Sequence, residues 1–265
     1  RRVFGRDTLR VVAVGDIDAK TLATLLDHVF GDLPAKAELT PVNNTAPEPK
    51  EKLKVIEMDV PQSVVQFGLN GIARKDPDFI PAFVLNQILG GGGFASRLTE
   101  EVREKRGLAY SVYSYLSPMN QAGTFGGGVA TKNEEMKQSL DVIKAELKRM
   151  ATDGPTQTEL DNAKSYLTGS YALRFDTSTK IASQLVHLQM DGFEPSYLDE
   201  RNGRIAAVGL EDCKRAAGKL LGDGKLLVTM YAALIVFVLF VLGSVIMICR
   251  IPMRRDRKST RLNSS

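Results

Sequence analysis

A chain of 265 residues that is 43% hydrophobic and 25% charged can bury one large or two ordinary cores, which excludes a disordered or collagen-like polypeptide. Its net charge of +4 is concentrated in the tail, where Arg250, Arg254, Arg255, Arg257, Lys258 and Arg261 are opposed only by Asp256. The remainder is close to neutral and offers no basic face for nucleic acid.

The first residues, RRVFGRDTLR, lack a starting Met, so the chain reads as a fragment in which a signal peptide cannot be sought. Leu9 to Val14 reads as a short apolar strand, turned by Gly15 and Asp16. Asp18 is placed to cap a helix reaching Phe30, with Leu22, Leu25, Leu26 and Val29 on its apolar face. Residues 1–34 therefore read as the end of a preceding domain. Residues 35–52 are polar, with Pro41, Pro47 and Pro49, and read as a linker.

A complete domain is expected over 53–229. Lys54 to Asp59 and Ser63 to Ile72 are strand candidates around Pro61, and Phe79 to Leu89 is a helix apolar on most sides. Four glycines, Gly90 to Gly93, lead into a charged helix, roughly Ala95 to Arg106. Gly107 ends it, at a position that favours φ > 0. A tyrosine-rich strand, Ala109 to Leu116, is expected to hairpin through Ser117 to Gln121 with the glycine-rich Ala122 to Thr131. Asn133 is placed to cap a helix to Thr152, and Thr156 with Glu159 spells a capping box for the next. Helices over Ser178 to Met190, Ser196 to Ala207 and Leu210 to Leu221 precede a closing strand, Lys225 to Thr229. This order is α+β: an antiparallel-rich sheet with helices packed on one face, plus a C-terminal apolar helix.

That last helix is the run Met230 to Cys249, 20 residues without a charge. Its length matches the ~30 Å of a hydrocarbon layer, and the arginines after it would lie in the cytoplasm. Two readings stand for 230–249: a transmembrane helix, or an artefactual join, since the closing DRKSTRLNSS resembles read-through sequence. Residues 250–265 read as a basic disordered tail. If the apolar run is native, the domain before it is expected in the periplasm or otherwise outside the cytoplasm.

The chemistry centres on Arg103 and Tyr110. One ends a helix and the other begins a strand, so they can converge. A guanidinium and a phenol aimed at one point donate hydrogen bonds to a carbonyl or an oxyanion. Strand alternation places Tyr113 and Tyr115 on the face opposite Tyr110. The glycine run lacks the Lys-Ser/Thr of a phosphate-binding loop, so nucleotide is not expected. Cys213 and Cys249 are not expected to pair. His28 and His187 lie apart in apolar helical contexts and supply no zinc site.

The pattern G-G-G-x-x-S-R-L followed by V-R-E-K-R-G-L-A-Y-S-V resembles the second, C-terminal domain of the pitrilysin/insulinase zinc metallopeptidases, the inverzincins. The likeness extends from VVAVGDIDAKTL (Val11 to Leu22) to GPTQTELDNAKSYLTGSYALRFDT (Gly154 to Thr177), and overall from about Leu9 to Thr229. It implies that Arg103 and Tyr110 are the Arg–Tyr pair which reaches into the active site from the half opposite the metal. Gly91, Gly92, Gly93 and Phe94 are expected to bind the substrate at the cleft, since glycine lets backbone come near a ligand. The family's zinc motif, H-x-x-E-H, is missing from the chain. No cofactor is therefore expected here, and zinc is expected in another domain or a homologous partner subunit. The expected activity is that of half a zinc endopeptidase; the alternative is a non-catalytic scaffold subunit of the same fold.

Overall fold

The computed structural model describes residues 3–45, 52–222, 226–232 and 247–248. Helix α1 (Ala19–Phe30) starts where Asp18 accepts hydrogen bonds from the backbone N–H of Lys20 and Thr21, both at 2.9 Å. None of its residues is buried, and Leu25 and Val29 are exposed. The segment 9–14 expected as a strand forms no ladder among the described residues. An apolar run becomes a strand only with a neighbour to take its N–H and C=O groups.

The rest is built on one sheet. Its strands are β1 (Lys52–Glu57), β2 (Ser63–Asn70), β3 (Ala109–Pro118), β4 (Gly123–Thr131) and β5 (Leu227–Ala232). Their order is β3-β4-β2-β5-β1, and a two-residue strand, β6 (Met247–Ile248), lies beyond β1. The β3–β4 hairpin forms as expected, and β4–β2 and β2–β5 are also antiparallel. The sheet is nevertheless mixed and not antiparallel-rich, because β1 pairs with both β5 and β6 in parallel. The cause is the long helical connection between β4 and β5. It returns the chain to slot β5 between β1 and β2, and a crossover of that length leaves strand direction free.

Helix α2 (Phe79–Asn86) continues as a π turn over Gln87–Gly91. After the hairpin come α3 (Met136–Asp153), α4 (Gln157–Gly169), α5 (Ser178–Met190), α6 (Tyr197–Ala206) and α7 (Leu210–Leu221). Val65 and Phe67 of β2, Phe125 and Val129 of β4 and Val228 and Met230 of β5 point into one core with α2, α3 and α7. Asn133 does not cap α3. Its carboxamide oxygen accepts from Ser63 Oγ at 2.8 Å, and a short 3-10 turn, Asn133–Glu135, precedes the helix.

The apolar run is not one helix. Met230 to Ala232 complete β5, so the sheet passes the boundary expected at Thr229. Met247–Ile248 is extended, while 233–246 and 249–265, with the whole expected basic tail, lie outside the described residues. Among the described residues no helix is long and apolar enough to cross a membrane.

Candidate functional site

The glycine run is where α2 meets the sheet. A Cβ at Gly90 would fall 2.5 Å from Ser114 Oγ and 2.6 Å from its backbone N, so the helix end can rest on β3 only through glycine. Ser114 then reaches Asn86 Oδ1 at 2.8 Å. A single 3-10 turn, Gly93–Ala95, carries Phe94 outward before a helical segment that starts at Arg97, two residues later than expected.

This segment is π-helical over Thr99–Glu104. Its charges divide by direction. Arg97 is 8% exposed and makes a fork to Glu159, with Nε at 2.5 Å and Nη2 at 2.7 Å. Nη2 also donates to the Gly154 carbonyl at 3.1 Å. Burial pushes the Glu159 carboxyl up, but the Arg97 guanidinium and the Thr156 donors outweigh it and hold it at about 2. Glu101 is buried too, and Lys105 and then Arg106 hold its carboxyl below the ordinary range. Glu159 therefore serves both its capping box and the anchor of Arg97. Sequence reasoning missed Arg97 and Glu101, because in a run of alternating charges the buried ones look like the solvated ones.

Gly107 ends the segment with φ +62°, and its N–H donates to the Arg103 carbonyl at 2.8 Å. The strand that follows is not regular. Ala109 pairs with Thr131, and Ser111 pairs with Ala130, so Tyr110 is the extra residue of a β-bulge. Val112 and Ser114 face the core, and strict alternation would send Tyr110 there with them. The bulge turns it outward instead, to 82% exposure. This overturns the expected placement of Tyr113 and Tyr115. All three tyrosines stand on the open face, at 82%, 42% and 45% exposure.

The expected pair does meet. The Arg103 guanidinium lies 4.8 Å from the Tyr110 ring centroid and 4.7 Å from that of Phe94. Two exposed aromatic rings thus flank one guanidinium, which also sits 3.3 Å from Glu104. Arg103, Tyr110 and Phe94 form one cluster; Gly91 to Gly93 form the chain entering it.

From the cluster the open face of the sheet runs inward. Tyr113, Gly128, Gln66 and Thr229 are register partners across β3, β4, β2 and β5, and Tyr115, Gly126, Gly68 and Leu227 form the next row. The tyrosine rings lie over the glycines: a Cβ at Gly126 would fall 2.8 Å from the Tyr115 ring, and one at Gly128 would fall 2.9 Å from the Tyr113 hydroxyl. Gln66 donates to that hydroxyl at 3.3 Å. Among the described residues no group of three His, Cys, Asp or Glu is gathered as a metal site. His187 is exposed on α5, with Nδ1 2.6 Å from the Ser183 carbonyl.

The α+β layer thus carries an Arg–aromatic cluster of Arg103, Phe94 and Tyr110 at the rim of its open sheet face. The chain belongs to the M16 peptidase family: residues 1–167 match the model of the Peptidase M16 inactive domain, the C-terminal domain of the pitrilysin/insulinase type. Over 228 residues it is 32% identical to an uncharacterized zinc protease of Streptomyces coelicolor, covering 84% of this chain and 50% of that one. Over 178 residues it is 35% identical to a Helicobacter pylori protein named a non-peptidase homolog, covering 66% and 40%. A crystal structure of a peptidase M16 inactive domain from Pseudomonas fluorescens matches it with a TM-score of 0.75 at 32% identity, over 83% of this chain and 52% of that one. The chain spans about half the length of the curated relatives it matches.

Proposed function

We propose that the chain is the substrate-facing, metal-free half of a zinc endopeptidase, completed by a domain or homologous subunit that carries H-x-x-E-H. The observation that carries this reading is the bulge, which turns Tyr110 out of the core and sets it beside Arg103. Hydrolysis at zinc passes through a tetrahedral intermediate whose oxygen gains negative charge. The metal in the other half would take part of it, and the Tyr110 O–H would donate to the rest. Arg103 would hold a peptide carbonyl and keep the local potential positive, with Phe94 and Gly91 to Gly93 against the peptide. A location outside the cytoplasm belongs to the same proposal.

The test is turnover in the reconstituted two-part enzyme. Tyr110→Phe should lower kcat by roughly 10²-fold, as for loss of one oxyanion donor. Arg103→Ala should damage both kcat and KM. A second reading, a scaffold of the same fold, is favoured by the non-peptidase name of the Helicobacter pylori relative. Near wild-type turnover in Tyr110→Phe, with the complex shown intact, would decide for the scaffold.

A further inference from the structure

On the helix layer, away from Arg103 and Tyr110, lies a second feature. Between α2, the turn Tyr171–Phe175, α5 and α6 there is a cavity of about 170 Å³. Three guanidiniums line it, those of Arg74, Arg174 and Arg201, along with His187. A single carboxylate, Asp191, is there to balance them, and it is already taken by Arg74 Nε at 2.9 Å.

Arg201 is the unusual member. It is only 7% exposed, and among the described residues no carboxylate lies within ion-pair distance of it. Its Nη1 donates to the Leu167 carbonyl at 3.2 Å and to Asn202 Oδ1 at 3.0 Å; both acceptors are neutral. A buried guanidinium is ordinarily held by an anion, because leaving water without one is costly. Aromatic rings lie beside it, the Tyr171 centroid 4.1 Å and the Phe83 centroid 5.7 Å from the guanidinium carbon. Among the described residues neither Nε nor Nη2 of Arg201 has an acceptor, and these two donors form the edge that takes a carboxylate in a fork. Arg174, exposed at the cavity's margin, adds a second positive charge. Phe79, Phe83 and Tyr171 give the remaining walls an aromatic character.

We propose that this cavity binds a small organic carboxylate, its charged end on Arg201 and Arg174 and its flat apolar body among Phe79, Phe83 and Tyr171. The size of the cavity suits a single ring and not a peptide segment, and the excess of guanidinium over carboxylate selects an anion. Burial also pushes the Arg201 guanidinium below its ordinary pKa, a strain that a bound carboxylate relieves. This site is independent of the peptide-facing cluster, so the two readings stand or fall separately.

The experiment is ¹⁹F NMR titration of the full chain with 4-fluorobenzoate, with inorganic phosphate as competitor. The expected result is saturable 1:1 binding below millimolar concentration. Loss of a charge-assisted hydrogen bond should weaken it roughly tenfold or more in Arg201→Gln and also in Arg174→Gln. Lys137→Gln, an exposed pair member on α3, should change nothing. Arg174 is exposed, so its variant keeps the test alive if Arg201→Gln does not fold. Phosphate should compete only weakly. Binding that both arginine variants retain, or no saturation by 10 mM, overturns the site. Phosphate binding as tight as 4-fluorobenzoate overturns the assignment of an apolar body.

Discussion

Replacing Glu159 by Gln keeps the side chain's shape and removes its charge. In the wild type Glu159 accepts from Arg97 Nε and Nη2 at 2.5 and 2.7 Å and from Thr156 N and Oγ1 at 2.7 and 2.8 Å. Moving this carboxyl from 4.5 to about 2 corresponds to roughly 3 kcal/mol, at about 1.36 kcal/mol per tenfold in proton affinity. The Arg97 side chain is 9% exposed, so the variant also strands a buried guanidinium, and the loss at neutral pH should lie at roughly 3–5 kcal/mol. The sign follows from linkage. The folded pKa is depressed, so the stabilisation is complete above 4.5 and is lost as pH falls through about 2. Urea unfolding of both proteins from pH 7 to pH 2 should show a wide gap that closes over that window. A gap that does not vary with pH, or one under about 1 kcal/mol as for an exposed pair, would refute the argument. The outcome also bears on the candidate site, because Arg97 opens the helical segment whose far end carries Arg103.

Gly107→Ala should cost about 1 kcal/mol in chemical denaturation, from strain alone, since φ is +62° and the space around it is open. Gly127→Ala should cost more, roughly 1–3 kcal/mol, because its Cβ would drive into the Phe67 ring; an unchanged midpoint in urea would contradict the packing. Cys213 is buried and its thiol is pushed up to about 11, so reduced native protein should give at most one fast equivalent with a thiol reagent at pH 8, and two in denaturant. Zinc analysis of the dialysed chain should show no stoichiometric metal; one tight zinc lost on mutating His28 or His187 would overturn the division of labour proposed above.

Local chemistry made much of this fold legible. Three of the helices, α1, α4 and α5, begin at Asp18, Thr156 and Thr177, whose side chains accept from the first turn, and α5 and α7 fall on the expected residues. What escaped depends on distant partners. Asn133 has the look of a cap until Ser63, 70 residues away, takes its oxygen. The direction of β5 is set by where five helices, α3 to α7, deliver it. The same holds at the site. The closeness of Arg103 and Tyr110 could be read from the turn at Gly107, but the side of the sheet on which Tyr110 emerges could not. Alternation within β3 gives the wrong answer, because the irregularity appears only when its residues are paired against β4.

The tyrosines over the glycine track make this face observable. The chain has no tryptophan and seven tyrosines, so its ultraviolet emission is tyrosine emission. Three of the seven, Tyr110, Tyr113 and Tyr115, stand together on the bare side of the sheet, two of them stacked with centroids 6.2 Å apart. A peptide or subunit settling on that side changes their solvent contact without any label being attached. Emission near 305 nm therefore doubles as a docking signal, and a partner that also lacks tryptophan leaves the signal clean.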